Sequence, residues 1–323
     1  MPSKLPIYVS DLDLGVTLNT LLDKALKPNT QRTYNHAQNR YLNFCTLYNI
    51  EPCPATEESL LYYIAYLFKD NLKGSSIRVY LAAIRSLHVN AGIPYISNTP
   101  RILMALKGAN VLSSPPSRKD PITFDILCRM LELLSSRADK VMLESSMSLA
   151  FFGCMRAGEI CLPDNAIFDA KIHLCVEDVT LQDDKSFVIL LKSSKTDQFS
   201  NGVKIFVGCS GHKVCAYCSM NKLLRLRSSS PGSAPLFADL QGNILRRNYF
   251  VSTTKLLVSM LGLPSDRFSG HSFRAGSATS GADAGFDNWE IKMLGRWNSE
   301  IYNIYLRNPK VVSSFARRLV NQV

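Results

Sequence analysis

His271 and Arg274 lie three residues apart in the segment HSFRAGSAT. Positions i and i+3 share one face of an α-helix, so the segment predicts that both side chains point the same way. An imidazole can donate or accept a proton near neutral pH, and a guanidinium can bind two oxygens of one anion. Such a pair is common by chance, so a site here requires support from other segments.

Three other segments carry side chains whose chemistry complements that pair. Taken singly, each has an ordinary explanation: a surface ion pair, a solvated lysine in a hairpin, or packed aromatic rings. Together they supply a second guanidinium, an ammonium group and two phenols. They are Arg156 and Glu159 in GCMRAGEI, Lys195 in LKSSKTDQ, and Trp297, Tyr302 and Tyr305 in LGRWNSEIYNIYLR.

Phosphodiester transfer is a reaction that these groups could perform together. Two arginines can hold the non-bridging oxygens of one phosphate and stabilise the charge that develops on them. A lysine can protonate the departing alkoxide, and a tyrosine can attack phosphorus to form a covalent ester. Because the ordinary pKa of tyrosine is about 10, the nucleophile needs neighbouring cations and a base such as His271. The set predicts a reaction that needs no metal ion and no other cofactor.

The composition sets limits on the partner and the compartment. A length of 323 residues favours two domains, and a net charge of +11 favours a polyanionic partner, although a merely basic soluble enzyme also fits. The sequence has no apolar run long enough to span a membrane, and its first residues lack the pattern of a secretory leader. The nine cysteines are expected to be reduced, which indicates the cytosol or the nucleus.

The chain that positions these residues is predicted to be mostly helical, with a small antiparallel β-sheet. Residues 1–112 carry helical patterns, including a start at Thr56 and an end at Gly108. Residues 113–122 contain prolines and serines and predict a linker. Residues 123–323 begin and end with helical patterns, and two β-branched runs between them predict the sheet.

The order Arg, Lys, His-x-x-Arg, Trp, Tyr resembles the catalytic set of the tyrosine recombinase, or phage integrase, family. Two N-terminal segments, KPNTQRTYNHAQNRYLNFC and KGSSIRVYLAAIRSLHVNAG, resemble helices of that family's core-binding domain. The resemblance covers roughly residues 20–310, most of the chain. The segments SSKTDQ and GRWNSEIYNIYLR are similar to recombinases of eukaryotic mobile elements, such as Crypton-type, DIRS-like or Ngaro-like elements.

The resemblance implies a two-domain clamp around duplex DNA. Residues 1–112 would form an all-helical core-binding (SAM-like) domain, and residues 123–323 a mixed α/β catalytic domain with a C-terminal helical tail. Strand cleavage and rejoining through a 3′-phosphotyrosine would integrate or excise a mobile element. The family's assembly implies a dimer on one site and a tetramer when two sites are brought together.

The resemblance also assigns roles to single residues. Lys192 and Lys204 are nearby rivals for the role of the lysine. In the family, the nucleophilic tyrosine follows a histidine or tryptophan by about nine residues. The roles are phosphate binding by Arg156 and Arg274, protonation of the leaving 5′-hydroxyl by Lys195, acid/base chemistry by His271, hydrogen bonding by Trp297, orientation by Glu159, and nucleophilic attack by Tyr305, eight residues after Trp297, with Tyr302 as the alternative.

Ten residues of the N-terminal helices are predicted to contact DNA. Their basic and hydroxyl groups suit contacts to phosphates and the major groove, and several lie near predicted helix starts, where backbone N–H groups also attract phosphate. The alternative is an ordinary solvated helix surface. The ten are Lys27, Thr30, Arg32, His36, Arg40, Lys73, Ser76, Arg78, Arg85 and Lys107.

The segment CSGHKVCAYC places Cys209, His212, Cys215 and Cys218 at the spacing C-x2-H-x2-C-x2-C. These residue types bind zinc, but the spacing is cramped for one tetrahedral site. The alternative is a strand-to-helix connection with buried cysteines. The sequence leaves zinc binding open, and no metal is assigned to the predicted reaction.

Two further activities are compatible with the sequence. A type IB-like DNA topoisomerase would use similar chemistry as a monomer, but the N-terminal segments resemble those of recombinases. A domesticated sequence-specific DNA-binding protein would have lost cleavage, but the residues predicted for cleavage are intact. The expected location is the nucleus in a eukaryote and the cytoplasm, at the nucleoid, otherwise.

Overall fold

The computed structural model describes residues 12–96, 98–114, 118–193 and 202–297, together with Ser299. Contacts within the chain divide it into two compact units, Met1–Pro116 and Ser117–Val323. α-Helices predominate in the described ranges, and one three-stranded antiparallel sheet accompanies them. The prediction of a mostly helical chain with a small antiparallel sheet is confirmed. None of the described helices is long and apolar enough to cross a membrane.

The described residues of the N-terminal unit form five helices around an aromatic core. Tyr41, Phe44 and Tyr63 are buried there, and each ring centroid lies about 5 Å from the next, at 5.1 Å for Tyr41 to Tyr63 and 5.0 Å for Phe44 to Tyr63. The helices are α1 (Leu12–Lys24), α2 (Pro28–Tyr48), α3 (Glu57–Lys69), α4 (Gly74–Asn90) and α5 (Pro100–Leu112), with α2 packed on α4 and α3 on α5.

Local hydrogen bonds explain where α3 and α5 begin and end. Thr56 Oγ1 accepts the backbone N–H of Ser59 at 3.1 Å and Ser59 Oγ accepts that of Thr56 at 3.0 Å, which confirms the predicted helix start. The predicted end of α5 at Gly108 is wrong, because Gly108 keeps a helical conformation and α5 continues to Leu112. The helix stops where Ser113 turns out of it and donates its hydroxyl to the Ala109 carbonyl at 2.6 Å.

The C-terminal unit contains seven helices in its described residues. The helix α7 (Lys140–Phe152) lies at the centre, is buried along most of its length, and packs on both α9 (Ala216–Leu226) and α11 (Ser272–Asp283). The helices are α6 (Phe124–Glu132), α7 (Lys140–Phe152), α8 (Ala157–Ile160), α9 (Ala216–Leu226), α10 (Arg247–Met260), α11 (Ser272–Asp283) and α12 (Asn288–Gly295).

The sheet of this unit has the order β1 (Val179–Leu181), β2 (Ser186–Leu191) and β3 (Val203–Gly208). Val188 pairs with Thr180 on one side and Phe206 on the other. Alternate residues of β2 and β3, such as Phe187 and Ile205, enter the hydrophobic core. This alternation is what a sheet with one buried face requires.

A segment before α6 lies unusually close to α11. The backbone N–H of Ile122 donates to the Ser272 carbonyl at 2.9 Å, and that of Phe124 donates to Ser280 Oγ at 3.1 Å. A Cβ added to Gly276 would lie 1.7 Å from the Ile122 carbonyl oxygen. The small residues of the GSATSGA run therefore allow the backbone of residues 118–124 to pack directly on α11.

Candidate active site

Arg156 immediately precedes α8 and is fixed by a buried carboxylate. Its Nη1 donates to Glu159 Oε1 at 2.6 Å, and its backbone N–H donates to Glu159 Oε2 at 2.9 Å. The Glu159 side chain is 5% exposed, whereas that of Arg156 is 19% exposed. The pair is therefore not an ordinary surface ion pair, since the carboxylate is buried and holds the arginine at the protein surface.

A third arginine, which the sequence analysis did not identify, contacts the same carboxylate. Arg296 follows α12 with a φ of 53°. Its Nη2 lies 3.3 Å from Glu159 Oε2, and its Nη1 donates to the Gly153 carbonyl at 3.1 Å. Glu159 thus joins Arg156, at the start of α8, to Arg296, at the end of α12.

Arg274 lies in the first turn of α11 and is 3% exposed. Its Nη1 donates to the Cys154 carbonyl at 2.5 Å, and its Nη2 donates to the Gly295 carbonyl. The Trp297 ring, 8% exposed, stacks on the guanidinium at 4.4 Å from the ring centroid. These contacts fix the guanidinium plane, but the named acceptors are neutral, so the charge of Arg274 persists.

The Cys154 carbonyl connects two of the arginines. Cys154 has a φ of 46°, in the left-handed region that residues other than glycine rarely adopt. Its carbonyl accepts Arg274 Nη1 at 2.5 Å and Arg296 Nη2 at 3.4 Å. The turn after α7 thereby holds both guanidinium groups from one oxygen atom.

The cluster carries an excess of positive charge. Three guanidinium groups surround the single carboxylate of Glu159, which leaves a formal charge of +2. Burial lowers the pKa of Arg274, and the positive charges of Arg156 and Arg296 lower it further. Burial also lowers the pKa of Arg296, and Arg156 adds to the effect. A bound anion would relieve this repulsion, so the cluster has the electrostatics of an anion-binding site.

His271 stands at the start of α11, one turn before Arg274. It is exposed, and its backbone N–H donates to Ser269 Oγ at 3.3 Å. The two residues of the HSFRAG segment therefore differ in environment, since His271 faces solvent while Arg274 is buried.

The lysines near the β2–β3 connection have different environments. Lys192 donates to Asp178 Oδ2 at 2.8 Å and to the Ala170 carbonyl at 2.7 Å, and Asp178 is buried. Lys204 lies in β3 and is exposed. Lys192 directly follows β2 and is held there by its ion pair with Asp178, which disfavours it as a proton donor. Lys195, Tyr302 and Tyr305, together with the predicted helical tail, lie outside the described residues.

Three cysteines meet where β3 connects to α9. The thiol sulfurs of Cys209, Cys215 and Cys218 lie within 4.8 Å of one another, and those of Cys209 and Cys215 are 3.6 Å apart. Burial raises the pKa of Cys215, but backbone N–H groups of Cys218 and Ser210 outweigh it and lower the pKa to about 7. The predicted strand-to-helix connection is present, but Cys209 and Cys218 are exposed rather than buried.

Comparison with known proteins identifies relatives of the whole chain. An integrase/recombinase xerD homolog of Selenomonas ruminantium is 25% identical over an alignment of 303 residues, which covers 89% of this chain and 83% of that protein. The chain is therefore similar in sequence to a recombinase over most of its length. No family model matches the sequence.

Solved recombinase structures share the fold of this chain. A Tn1549 transposon integrase in complex with a circular intermediate DNA superposes with a TM-score of 0.63 at 15% identity, covering 93% of this chain and 95% of that one. A lambda integrase dimer bound to a COC′ core site gives a TM-score of 0.58 at 16% identity, covering 91% and 93%. The XerH site-specific recombinase bound to difH gives 0.56 at 14% identity, covering 86% and 75%.

Arg296 is the residue of the arginine cluster that the sequence analysis missed. The sequence analysis assigned a hydrogen-bonding role to the adjacent residue, Trp297, whose ring stacks on Arg274. One signal was available: Tyr305 follows Arg296 by nine residues (305 − 296 = 9), the spacing expected from the family, whereas it follows Trp297 by eight. Counting back from the tyrosine would have pointed to the arginine.

The predicted DNA-binding residues all lie in the N-terminal unit. Lys27 and Lys73 directly precede α2 and α4, which pack against each other. Arg40 is half-buried, forms an ion pair with Asp70, and stacks on Tyr80 at 5.8 Å, so its charge is partly used within the unit. The exposed members are Lys27, Arg32, His36, Lys73, Ser76, Arg78, Arg85 and Lys107, while Thr30 is half-buried.

Proposed function

We propose that this chain cleaves and rejoins strands of duplex DNA at specific sites through a 3′-phosphotyrosine intermediate. The observation that carries the proposal is the convergence of Arg156, Arg274 and Arg296 around the buried carboxylate of Glu159. Fixed donors with excess positive charge stabilise the charge that grows on phosphate oxygens during transfer. Because the donors are held by carbonyls and a carboxylate, little reorganisation accompanies the reaction.

The reaction begins when the Tyr305 oxygen attacks the scissile phosphorus. A bond forms between that oxygen and phosphorus, and the bond from phosphorus to the 5′-oxygen breaks. Lys195 donates a proton to the departing 5′-oxygen, while His271 accepts the proton of the tyrosine. The 5′-hydroxyl of a partner strand then attacks the phosphotyrosine and releases the enzyme. The ester conserves the bond energy, so the cycle requires no nucleotide cofactor.

The guanidinium groups hold the non-bridging oxygens throughout both steps. Arg156 and Arg296, whose side chains are 19% and 18% exposed, present N–H groups beside Glu159. Arg274 contributes charge from a buried, stacked position. Trp297 acts in this scheme mainly by fixing Arg274, and its indole remains a proposed donor to phosphate.

The N-terminal unit is proposed to bind the opposite face of the duplex, so that the two units clamp the DNA. Its exposed basic residues, among them Arg32, Arg78 and Arg85, supply phosphate contacts. With about six to ten such contacts, affinity is expected to fall by about three to five decades between 50 and 200 mM salt. The names of the xerD homolog and the Tn1549 transposon integrase support a role in integration or excision of a mobile element. The assembly of four protomers at synapsis rests on the resemblance of the sequence to the family alone.

A covalent adduct tests activity and nucleophile together. Nicked suicide duplexes, carrying the ends of the DNA element that encodes the chain, are incubated with wild-type protein in buffer without divalent ions. We expect an adduct that survives SDS and is lost in Tyr305→Phe but retained in Tyr302→Phe. Each substitution removes one phenolic hydroxyl group, and the two positions are three residues apart, so each variant serves as the control for the other.

Three results would contradict parts of this proposal. An adduct in Tyr305→Phe would exclude Tyr305 as the nucleophile. Relaxation of supercoiled DNA without any required sequence would indicate a topoisomerase instead. Specific binding of element ends without any adduct would indicate a DNA-binding protein that no longer cleaves.

A further inference from the structure

The cysteine cluster lies in a part of the C-terminal unit that the proposed reaction does not use. Cys209 directly follows β3, Cys215 directly precedes α9, and Cys218 lies in the first turn of α9. At about 3.3 Å per residue, Cys209 is about 20 Å along the strand from Val203, where β3 begins. The three thiols therefore gather at the end of the sheet away from the β2–β3 connection.

The distances between the sulfurs fit a tetrahedral zinc ion. A Zn–S bond length of about 2.3 Å places two ligating sulfurs of a tetrahedron about 3.8 Å apart. Cys209 and Cys215 sulfurs are 3.6 Å apart, and all three lie within 4.8 Å of one another. Movements of about 1 Å or less would bring every pair to the required separation, which side-chain rotations alone can supply.

The backbone around the cluster is arranged to hold thiolates. The N–H groups of Ser210 and Cys218 point at the Cys215 sulfur, at 3.4 and 3.5 Å. The positive end of the helix α9 also favours negative charge at this position. The loop is itself fixed, because the Cys209 N–H donates to the Lys185 carbonyl at 2.9 Å and Ser210 Oγ donates to the Val214 carbonyl at 3.0 Å.

His212 is part of the sequence motif but is held apart from the sulfurs. Its Nδ1 accepts the backbone N–H of Val214 at 3.1 Å, and its ring packs against that of Phe124 at 5.3 Å. Two of the three cysteines are exposed, so water has access to the remaining side of the cluster. A three-thiolate site completed by water therefore requires no rearrangement of the histidine.

We propose that Cys209, Cys215 and Cys218 bind one Zn²⁺ ion, with water as the fourth ligand. The ion would fasten the end of β3 to the start of α9, a connection otherwise made through a seven-residue loop, residues 209–215. Its proposed role is structural, because the ion would join β3 to α9 and the reaction assigned to the arginine cluster does not involve it. The cramped spacing of the motif is accommodated because the histidine is not a ligand.

The metal content of the full-length chain tests this assignment. Protein purified under reducing conditions is loaded with Zn²⁺, separated from free metal by gel filtration, and measured by plasma mass spectrometry. We expect one zinc per chain in the wild type and its loss in Cys209→Ser and in Cys218→Ser. Both positions are exposed, so these variants are expected to fold, which circular dichroism checks. Cys53→Ser, at a half-buried cysteine of the other unit, is the matched control that keeps the metal.

Two further measurements distinguish ligands from bystanders. Co²⁺ substitution is expected to produce thiolate-to-metal charge-transfer absorption in the wild type and in His212→Ala. Added Zn²⁺ is expected to raise Tm in the wild type and Cys53→Ser but not in Cys218→Ser, since only the folded state binds the ion. Zinc retained in Cys218→Ser, zinc lost in His212→Ala, or a metal-free chain containing a Cys209–Cys215 disulfide would each overturn the assignment.

Discussion

Replacing Gly295 with alanine should push the Trp297 ring off the Arg274 guanidinium. An added Cβ would lie 1.8 Å from Cζ3 and 1.9 Å from Cε3 of that ring. Because non-bonded carbon atoms lie at least about 3.5 Å apart, the ring would have to move by about 1.7 Å to clear the added Cβ. The helical backbone at residue 295 accepts alanine, so the indole is the group expected to yield.

The cost follows from what the ring loses. A tryptophan buries about 200 Å² of surface, which corresponds to about 5 kcal/mol for complete expulsion at 25 cal/mol per Å². A displacement of this size loses about half of that burial and part of the cation–π contact, while alanine gains about 1 kcal/mol in helix propensity. We expect the unit to lose about 2–3 kcal/mol of unfolding free energy, or about 4–12 °C in Tm.

Tryptophan fluorescence can follow this movement without any DNA. The chain has two tryptophans, and Trp289 is 61% exposed, so a Trp289→Phe background leaves Trp297 as the only reporter. Gly295→Ala should shift its emission to longer wavelength and lower Tm. The control is Gly281→Ala in α11, whose added Cβ would lie 3.5 Å from Phe286, in ordinary contact.

The steric displacement of Trp297 would be refuted by an unchanged emission maximum together with an unchanged Tm in Gly295→Ala. It would also fail if Gly281→Ala lowered Tm equally, because the loss of stability would then follow from adding a methyl group at any helical glycine of this unit. A shift confined to Gly295→Ala would establish that the glycine provides the space in which Trp297 covers Arg274.

Two further predictions concern the scaffold of the C-terminal unit. Gly276→Ala should lower the unfolding free energy by about 1–3 kcal/mol in urea titrations, because its Cβ would lie 1.7 Å from the Ile122 carbonyl; a wild-type midpoint would contradict this close packing. Lys192→Met should destabilise the unit at neutral pH. Burial lowers the pKa of Lys192, but Asp178 outweighs burial and raises that pKa above the ordinary 10.5. The stabilisation from the ion pair is therefore present below pH 10.5 and is lost as the pH rises through the folded pKa. The difference in Tm between wild type and variant should therefore shrink above pH 10.5, and a constant difference would exclude the ion pair as its source.

Local signals allowed part of the fold to be predicted. Thr56 begins α3 because its hydroxyl and that of Ser59 cap the helix within four residues, and such contacts are visible in the sequence. Gly108 misled for the opposite reason: glycine permits a left-handed helix end but does not impose one. The continuation of α5 to Leu112 depends on its packing against α3 and α4, which no local pattern reveals.

The candidate site was predictable where chemistry and order coincide, and not where side chains meet through the fold. Arg156 and Arg274 were singled out by type and chain order, and both belong to the cluster. Arg296 was missed because its nine-residue spacing to Tyr305 was not used. Its contacts to Glu159 and Cys154 span more than 130 positions of the chain and leave no local pattern. The burial of Trp297 likewise follows from the missing side chain of Gly295, a steric relation that composition does not express.

The bonds of Arg274 have a practical consequence for making inactive versions of this protein. One guanidinium ties the turn after α7 to the end of α12 through the Cys154 and Gly295 carbonyls. Truncating that side chain removes two hydrogen bonds that stabilise the fold as well as a positive charge from the proposed reaction. Loss of activity in Arg274→Ala would therefore not show which of the two losses caused it. Replacing Arg156, which is more exposed than Arg274, with a neutral or less basic analogue of arginine should lower activity while the fold is retained.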